Sequence, residues 1–241
     1  MSIDQHIAFK KNIPFARLTR LLVVALTVVA IVNLAMIGLR FWFYTILDQV
    51  MVNGWDNNAE FADQANIWGF VVTALVFLLT AILFLVWFHR ARKNVDVLQA
   101  EGLAYNSSAA VGWWFVPLAH LVVPYRIAKD IWLASNPETY ESGKPTAWLS
   151  DEDWGPVTLW WTFWIMYSIA SWVSRFGDDP TEIDEFQYKL IVQIVAHVLL
   201  LPAALFAIRF VKGVYRRQEE RYALIEQIND SIAETDLQPI L

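Results

Sequence analysis

Apolar residues in this chain gather into long, nearly unbroken runs, with neither the alternation of a half-buried strand nor the narrow stripe of a surface helix. The runs cover residues 21–46, 67–88, 157–173 and 190–211. Each is near or above the roughly 20 residues that an α-helix needs to cross about 30 Å of hydrocarbon. Hydrocarbon offers the backbone no hydrogen-bond partner, so each run must be a helix. The pattern predicts an all-α integral membrane protein with four transmembrane helices in a single membrane domain over residues 1–241. Beyond the last run, a charged helix over 212–235 carries an apolar stripe of Leu224, Ile225, Ile228 and Ile232, expected to pack on a loop or on the membrane face.

A fifth apolar stretch, GWWFVPLAHLVVPYRIAKDIWLAS (112–135), does not fit that pattern. Its apolar part, 111–123, is too short to cross as a helix. Pro117 and Pro124 each remove a backbone donor and disfavour a helical residue before them. From Arg126 onward, Ile127, Ile131 and Ala134 recur on one helical face. The stretch therefore reads as a re-entrant or interfacial hairpin over 111–135, closing with a short amphipathic helix on the membrane surface. Trp113 and Trp114 suit the headgroup level. A kinked fifth span is the alternative.

Charge decides between them. Lys10, Lys11, Arg17 and Arg20 precede the first run; Arg90, Arg92 and Lys93 follow the second; Arg209, Lys212, Arg216, Arg217 and Arg221 follow the last. The loop between the first two runs is acidic, with Asp48, Asp56, Glu60 and Asp63. So is the loop between the last two, with Asp178, Asp179, Glu182, Asp184 and Glu185. By the positive-inside rule both termini and the central loop are cytoplasmic and the acidic loops lie outside. A fifth crossing would invert the second half, so the hairpin is expected to enter and leave on the cytoplasmic side.

Composition agrees with a membrane protein. The chain is 57% hydrophobic and 17% charged, against about 45–50% and about 25% in soluble domains. It has no cysteine, which removes disulfides, thiolate catalysis and Cys-based metal sites. No basic block points to nucleic acid. No catalytic, phosphate-cradling or dinucleotide motif is present, so no catalytic residue, metal or cofactor is expected.

Polar side chains within the runs are functional candidates by default. Asn33, Thr73, Ser168 and His197 lie roughly 17–22 Å from the cytoplasmic ends of their helices, at 1.5 Å per residue. They form one mid-membrane layer, either a solute site around His197 or interhelical hydrogen bonding. Arg40 is expected to snorkel outward. Trp160, Trp161, Trp164 and Trp172 are expected in aromatic belts.

Three stretches together, WFHRARKNV (87–95), GWWFVPLAHLVVPYRIAKDIWLAS (112–135) and IRFVKGVYRRQEER (208–221), resemble the bacterial multi-pass membrane family called domain of unknown function 4328. The likeness runs over about residues 67–221. The family pattern falls on Trp87, Arg90, Asn94, Gly112, Trp114, Pro117, Leu121, Pro124, Arg126, Asp130, Trp132 and Ser135. It departs at His120, where the family usually has Asn, which argues against catalysis there, and at 108–110, where it usually has Pro. The resemblance implies a bacterial inner-membrane protein and no particular activity.

The spacing of Arg90 and Asn94, and of Arg126 and Asp130, puts each pair on one helical face, and an Arg90–Asp130 contact is expected to close the hairpin. Arg90, Arg126 and Lys129 could hold an anionic lipid. The expected role is non-catalytic, binding a protein partner, a second copy or lipid through the aromatic hairpin. The alternatives are a small-solute or ion transporter built on the layer around His197, and an enzyme acting on lipid headgroups.

Overall fold

A computed structural model describes residues 13–140, 144–153, 155–176 and 182–236. His6, Lys10, Lys11, Asp178 and Asp179 lie outside the described residues. The described chain is helical, with no strand among these residues. The helices are α1 (Ile13–Asn53), α2 (Asn57–Val97), the single turn α3 (Ala109–Gly112), α4 (Val123–Ala134), α5 (Gly155–Val173) and α6 (Ile183–Asp236). Short 3-10 turns at Trp113–Phe115 and Ala119–Leu121 separate α3 from α4, and two more, Pro137–Thr139 and Ala147–Ser150, follow it.

Local chemistry sets the breaks. Gly54 adopts a positive φ of 79° after α1, and its N–H bonds back to the carbonyl of Val50 at 2.9 Å, a left-handed C-cap. Asp56 then caps α2, its Oδ1 accepting from the Ala59 N–H at 2.9 Å. Asp153 accepts from the N–H of Gly155, the first residue of α5, at 3.0 Å. Gly155 has φ 46°, a value disfavoured for a residue with a Cβ.

Among the described residues, three helices are long and apolar enough to cross a membrane: Phe15–Asn53, Asn57–Val97 and Ile183–Ile232. α5 forms over the expected third run, but its four tryptophans, tyrosine and serines dilute its hydropathy, and it does not meet that measure. All four helices outrun or match the apolar runs. α6 has 54 residues, about 80 Å, and continues through Pro202. Between α2 and α5 no helix exceeds the 12 residues of α4, about 18 Å.

The chain divides into two compact units. One comprises 1–23, 83–158 and 209–241; the other comprises 24–82 and 159–208. In the second unit, Val29 of α1 and Leu200 and Ala203 of α6 form a core with Val76, Phe163 and Tyr167. Its outer surface is apolar: Leu75, Leu78, Leu79 and Ile82 stand exposed along one face of α2. Such a stripe suits lipid rather than water. In the first unit, Leu98 packs with Tyr222 and Ile225.

Two expectations about packing are corrected here. Ile127, Ile131 and Ala134 do share a face of α4, but that face is buried in protein and is not laid on a membrane surface. Trp160 and Trp161 are buried as well, outside any lipid-facing belt, whereas Trp172 is exposed. Of the tail stripe, Ile225 is buried and Ile232 is exposed.

Candidate functional site

The stretch expected to form the hairpin holds the two 3-10 turns, and residues 115–122 carry exposed apolar side chains. Phe115 is 72% exposed and Leu118 79%, with Val116, Leu121 and Val122 also exposed. Leu118 turns the chain at φ 63°, ψ −42°, a strained conformation for a residue with a Cβ. Pro117 precedes that turn, and Pro124 opens the first turn of α4, where its missing N–H costs nothing. Gly112 has open space around it. His120 bonds only weakly to the Val116 carbonyl, at 3.4 Å. Behind the tip, Trp114 packs edge-on to Phe84 and Phe88, at 5.7 and 6.3 Å between centroids, and Trp113 meets Tyr105.

The chain entering the hairpin bonds to the chain leaving it. Glu101 N–H donates to the Pro145 carbonyl at 3.0 Å, and Trp148 Nε1 donates to the Glu101 carbonyl at 2.8 Å.

Below the hairpin, buried polar side chains join α2, α4 and α6. Gln218 is central and fully used. Its Oε1 accepts from Asn94 Nδ2 at 3.0 Å, and its Nε2 donates to the Ala91 carbonyl at 3.0 Å and to Ser135 Oγ at 3.1 Å. One turn on, Arg221 donates to the Leu98 carbonyl, to the Asn136 carbonyl and to Thr139 Oγ1, at 3.2, 2.9 and 3.3 Å. Those carbonyls lie just past the ends of α2 and α4, where a cation also meets the negative ends of two helix dipoles. Burial pulls the Arg221 guanidinium down to about 10, against the opposing influence of Tyr140. Trp87 is wholly buried, stacked with Phe15 and edge-on to Phe210, and its Nε1 donates to Thr19 Oγ1 at 3.0 Å.

Trp132 lies in a socket that its neighbours leave open for it. A Cβ on Gly213 would come within 2.4 Å of its ring, and one on Gly155 within 2.5 Å. The Arg217 guanidinium sits 3.9 Å from the ring centroid, donates to the Trp132 carbonyl, and pairs with Asp153. Against the upward push of burial, Arg217 holds the Asp153 carboxyl below its usual range.

The expected Arg90–Asp130 contact does not form. The cation that faces Asp130 from α2 is Arg92, whose Nε is spent on the Tyr105 carbonyl at 2.7 Å and whose Nη1 pairs with Asp96 at 2.7 Å. Arg90 lies half-buried on another face of α2. Burial pushes the Asp130 carboxyl up to about 6, although Arg92, Lys129 and Arg126 pull the other way. Arg126 is exposed, and with Lys129 and Asp130 it lines a cavity of about 370 Å³ floored by Leu133 and Trp148.

In the second unit the expected polar layer is partly joined. His197 Nδ1 meets Asn33 Oδ1 at 2.5 Å. Thr73 and Ser168 hydrogen-bond back onto the Gly69 and Trp164 carbonyls, yet both line one cavity of about 560 Å³ with His197. Arg40 does not snorkel outward. It is buried, donates from Nε to His197 Nε2 at 3.1 Å, and bonds Gln193 through Nη1.

The family model described as Domain of unknown function (DUF4328) matches residues 53–216, more than half of the chain. The chain belongs to this family. No curated protein and no solved structure matches it. The DUF4328 match takes in Trp87, the whole hairpin, Trp132 and Gly213, and it stops just short of Gln218 and Arg221. Asn33 and Arg40 lie ahead of it.

The sequence reading of this DUF4328 chain did not assign Gly213, Gln218, Gln193 or the inward turn of Arg40. A spacing signal existed for some of them. Gly213, Arg217 and Arg221 recur every four residues on one face of α6, and Gln193 stands one turn from His197.

Proposed function

We propose that this chain is a non-catalytic lipid-binding protein of the bacterial inner membrane that holds an aromatic wedge part-way into one leaflet. The observation that carries the reading is the tip at 115–122, where large apolar side chains stand exposed on a segment whose flanks hydrogen-bond to one another. In water that arrangement wastes apolar burial worth roughly 1.5–3 kcal/mol for each large side chain. In lipid it is anchorage. The exposed Arg126, beside Lys129, places positive charge at the foot of the wedge, where anionic headgroups lie.

In this reading α1, α2, α5 and α6 all cross. α5 begins where Gly155 meets Trp132, and α6 begins near Asp48, which accepts from Gln187 Nε2 at 2.6 Å. That order supports a crossing by α5, whose 19 residues reach about 28 Å. The cations around Arg92, Arg216 and Arg217 then share the cytoplasmic face with both termini. The hydrogen bonds from Glu101 to Pro145 and from Trp148 to Glu101 support a wedge that returns to the face it left.

The chain has no native cysteine, so Leu118→Cys can carry a single environment-sensitive fluorophore in phosphatidylcholine–phosphatidylglycerol vesicles. Quenching by nitroxides high on the acyl chains, and protection from aqueous iodide, is the expected result. A fluorophore quenched by iodide and untouched by lipid nitroxides would refute the wedge.

A further inference from the structure

Arg40 is a buried cation within the apolar run of α1, and its partners among the described residues are neutral. An arginine Nε always carries its hydrogen, so His197 Nε2 must be the acceptor. His197 Nδ1 then bears the proton and donates to Asn33 Oδ1. Asn33 Nδ2 donates to the Val29 carbonyl at 2.7 Å, which fixes the amide in that orientation. The imidazole is therefore neutral, and Gln193 is neutral by nature. Among the described residues no carboxylate comes within ion-pair distance of Arg40. A charge buried at membrane depth costs several kcal/mol unless something offsets it. Side chains from α1 and α6 are nonetheless committed to aiming this guanidinium.

It is aimed at space. Arg40 lines the cavity of about 560 Å³, and its Nη2 has no acceptor among the described residues. A second guanidinium, the exposed Arg175, lines the same cavity, whose walls among the described residues include Phe70, Phe77 and Trp172 and no acidic side chain. Two guanidinium forks without a carboxylate match an oxyanion, which takes paired N–H donors. The volume exceeds that of a bare ion, and the aromatic walls suit an apolar body attached to it.

We propose that this cavity is a binding site for a phosphate-type oxyanion, held by Arg40 within and Arg175 at the rim. The group comes either from an anionic phospholipid or from solution. The site is separate from the hairpin and does not depend on the wedge.

The test uses the full chain in phosphatidylcholine nanodiscs, with folding checked by near-ultraviolet circular dichroism of its 13 tryptophans. One arm titrates inorganic phosphate and follows thermal unfolding. The other adds phosphatidylglycerol and counts retained lipid by native mass spectrometry. Binding in either arm that weakens roughly tenfold or more in Arg40→Gln, the loss expected for one charge-assisted hydrogen bond or more, supports the site and names its source. If Arg40→Gln does not fold, Arg175→Gln, altered at an exposed position, should weaken binding several-fold. Absence of binding in both arms overturns the proposal. So does full-strength binding in folded Arg40→Gln, or in Arg175→Gln where Arg40→Gln does not fold. Lipid retention that is lost with Arg126→Gln but kept with Arg40→Gln belongs to the hairpin, and it overturns the cavity assignment while leaving the wedge standing.

Discussion

Asp130 shows how one side chain can contribute to the pH response of the fold. Its carboxyl titrates near 6 in the folded chain because burial outweighs the pull of Arg92, Lys129 and Arg126. In the unfolded chain it titrates near the ordinary value of 3.8. Below about pH 4 both states hold the proton. Between about 4 and 6 only the folded state does, so stability falls as pH rises through that window and levels off above it. The loss is of the order of 1 kcal/mol once solvent screening of a part-exposed group is allowed for. Denaturant unfolding in micelles from pH 4 to 7.5 should show this decline, and Asp130→Asn should flatten it. An unchanged slope in the variant would place the titration elsewhere. At this scale the sequence was half legible. The periodicity marked Arg90, Asn94, Arg126 and Asp130 as neighbours of the hairpin, but it could not say which arginine turns toward Asp130. Arg90 and Arg92 differ by about 200° around a helix, and only the packing of 98–108 against α2 selects Arg92. Arg221 and Gln218 read as ordinary tail polarity, because nothing local reveals that the carbonyls of Leu98 and Asn136 arrive beside them.

Between elements, the contact of α4 with α6 rests on a single large ring fitted against glycine. Gly213→Ala would drive a methyl group to within 2.4 Å of the Trp132 ring, itself fixed by Arg217 on the other side. Such overpacking costs typically 1–3 kcal/mol. Gly213→Ala should therefore lower the unfolding midpoint, and Trp132→Leu should lower it through the lost ring. The double variant should be less destabilised than the sum of the two, because the smaller side chain makes room for the methyl. Additive losses would mean that the two residues do not share this contact. The long helices were legible, since a run of about 20 apolar residues has few other outcomes in lipid. The apolar face of α4 was legible too, but not its cover. A face of Ile127, Ile131 and Ala134 looks the same whether lipid or protein lies against it. The socket of Gly155, Gly213 and Phe210 decides for protein. α5 reads as a span like the others, but its tryptophans, apolar in composition yet weak in hydropathy, keep it below the measure that the other three helices meet.

For the molecule as a whole, the decisive feature is where segment 109–134 begins and ends. Its two flanks hydrogen-bond to one another. That contact fits a segment that enters one leaflet and turns back. An expected sidedness was legible in the placement of Lys and Arg along the chain. The cavity beside Arg40 was not, because a lone arginine near a helix end reads as a snorkelling anchor until a histidine from α6 is seen to accept from it. The most direct measurement places single cysteines at Glu101, Lys144 and Trp55 in the otherwise cysteine-free chain and labels sealed vesicles with an impermeant thiol reagent. Glu101→Cys and Lys144→Cys should react from the same face, and Trp55→Cys only from the opposite one. Reaction of Glu101→Cys and Lys144→Cys from opposite faces would show that the segment crosses, and the wedge would be lost with it.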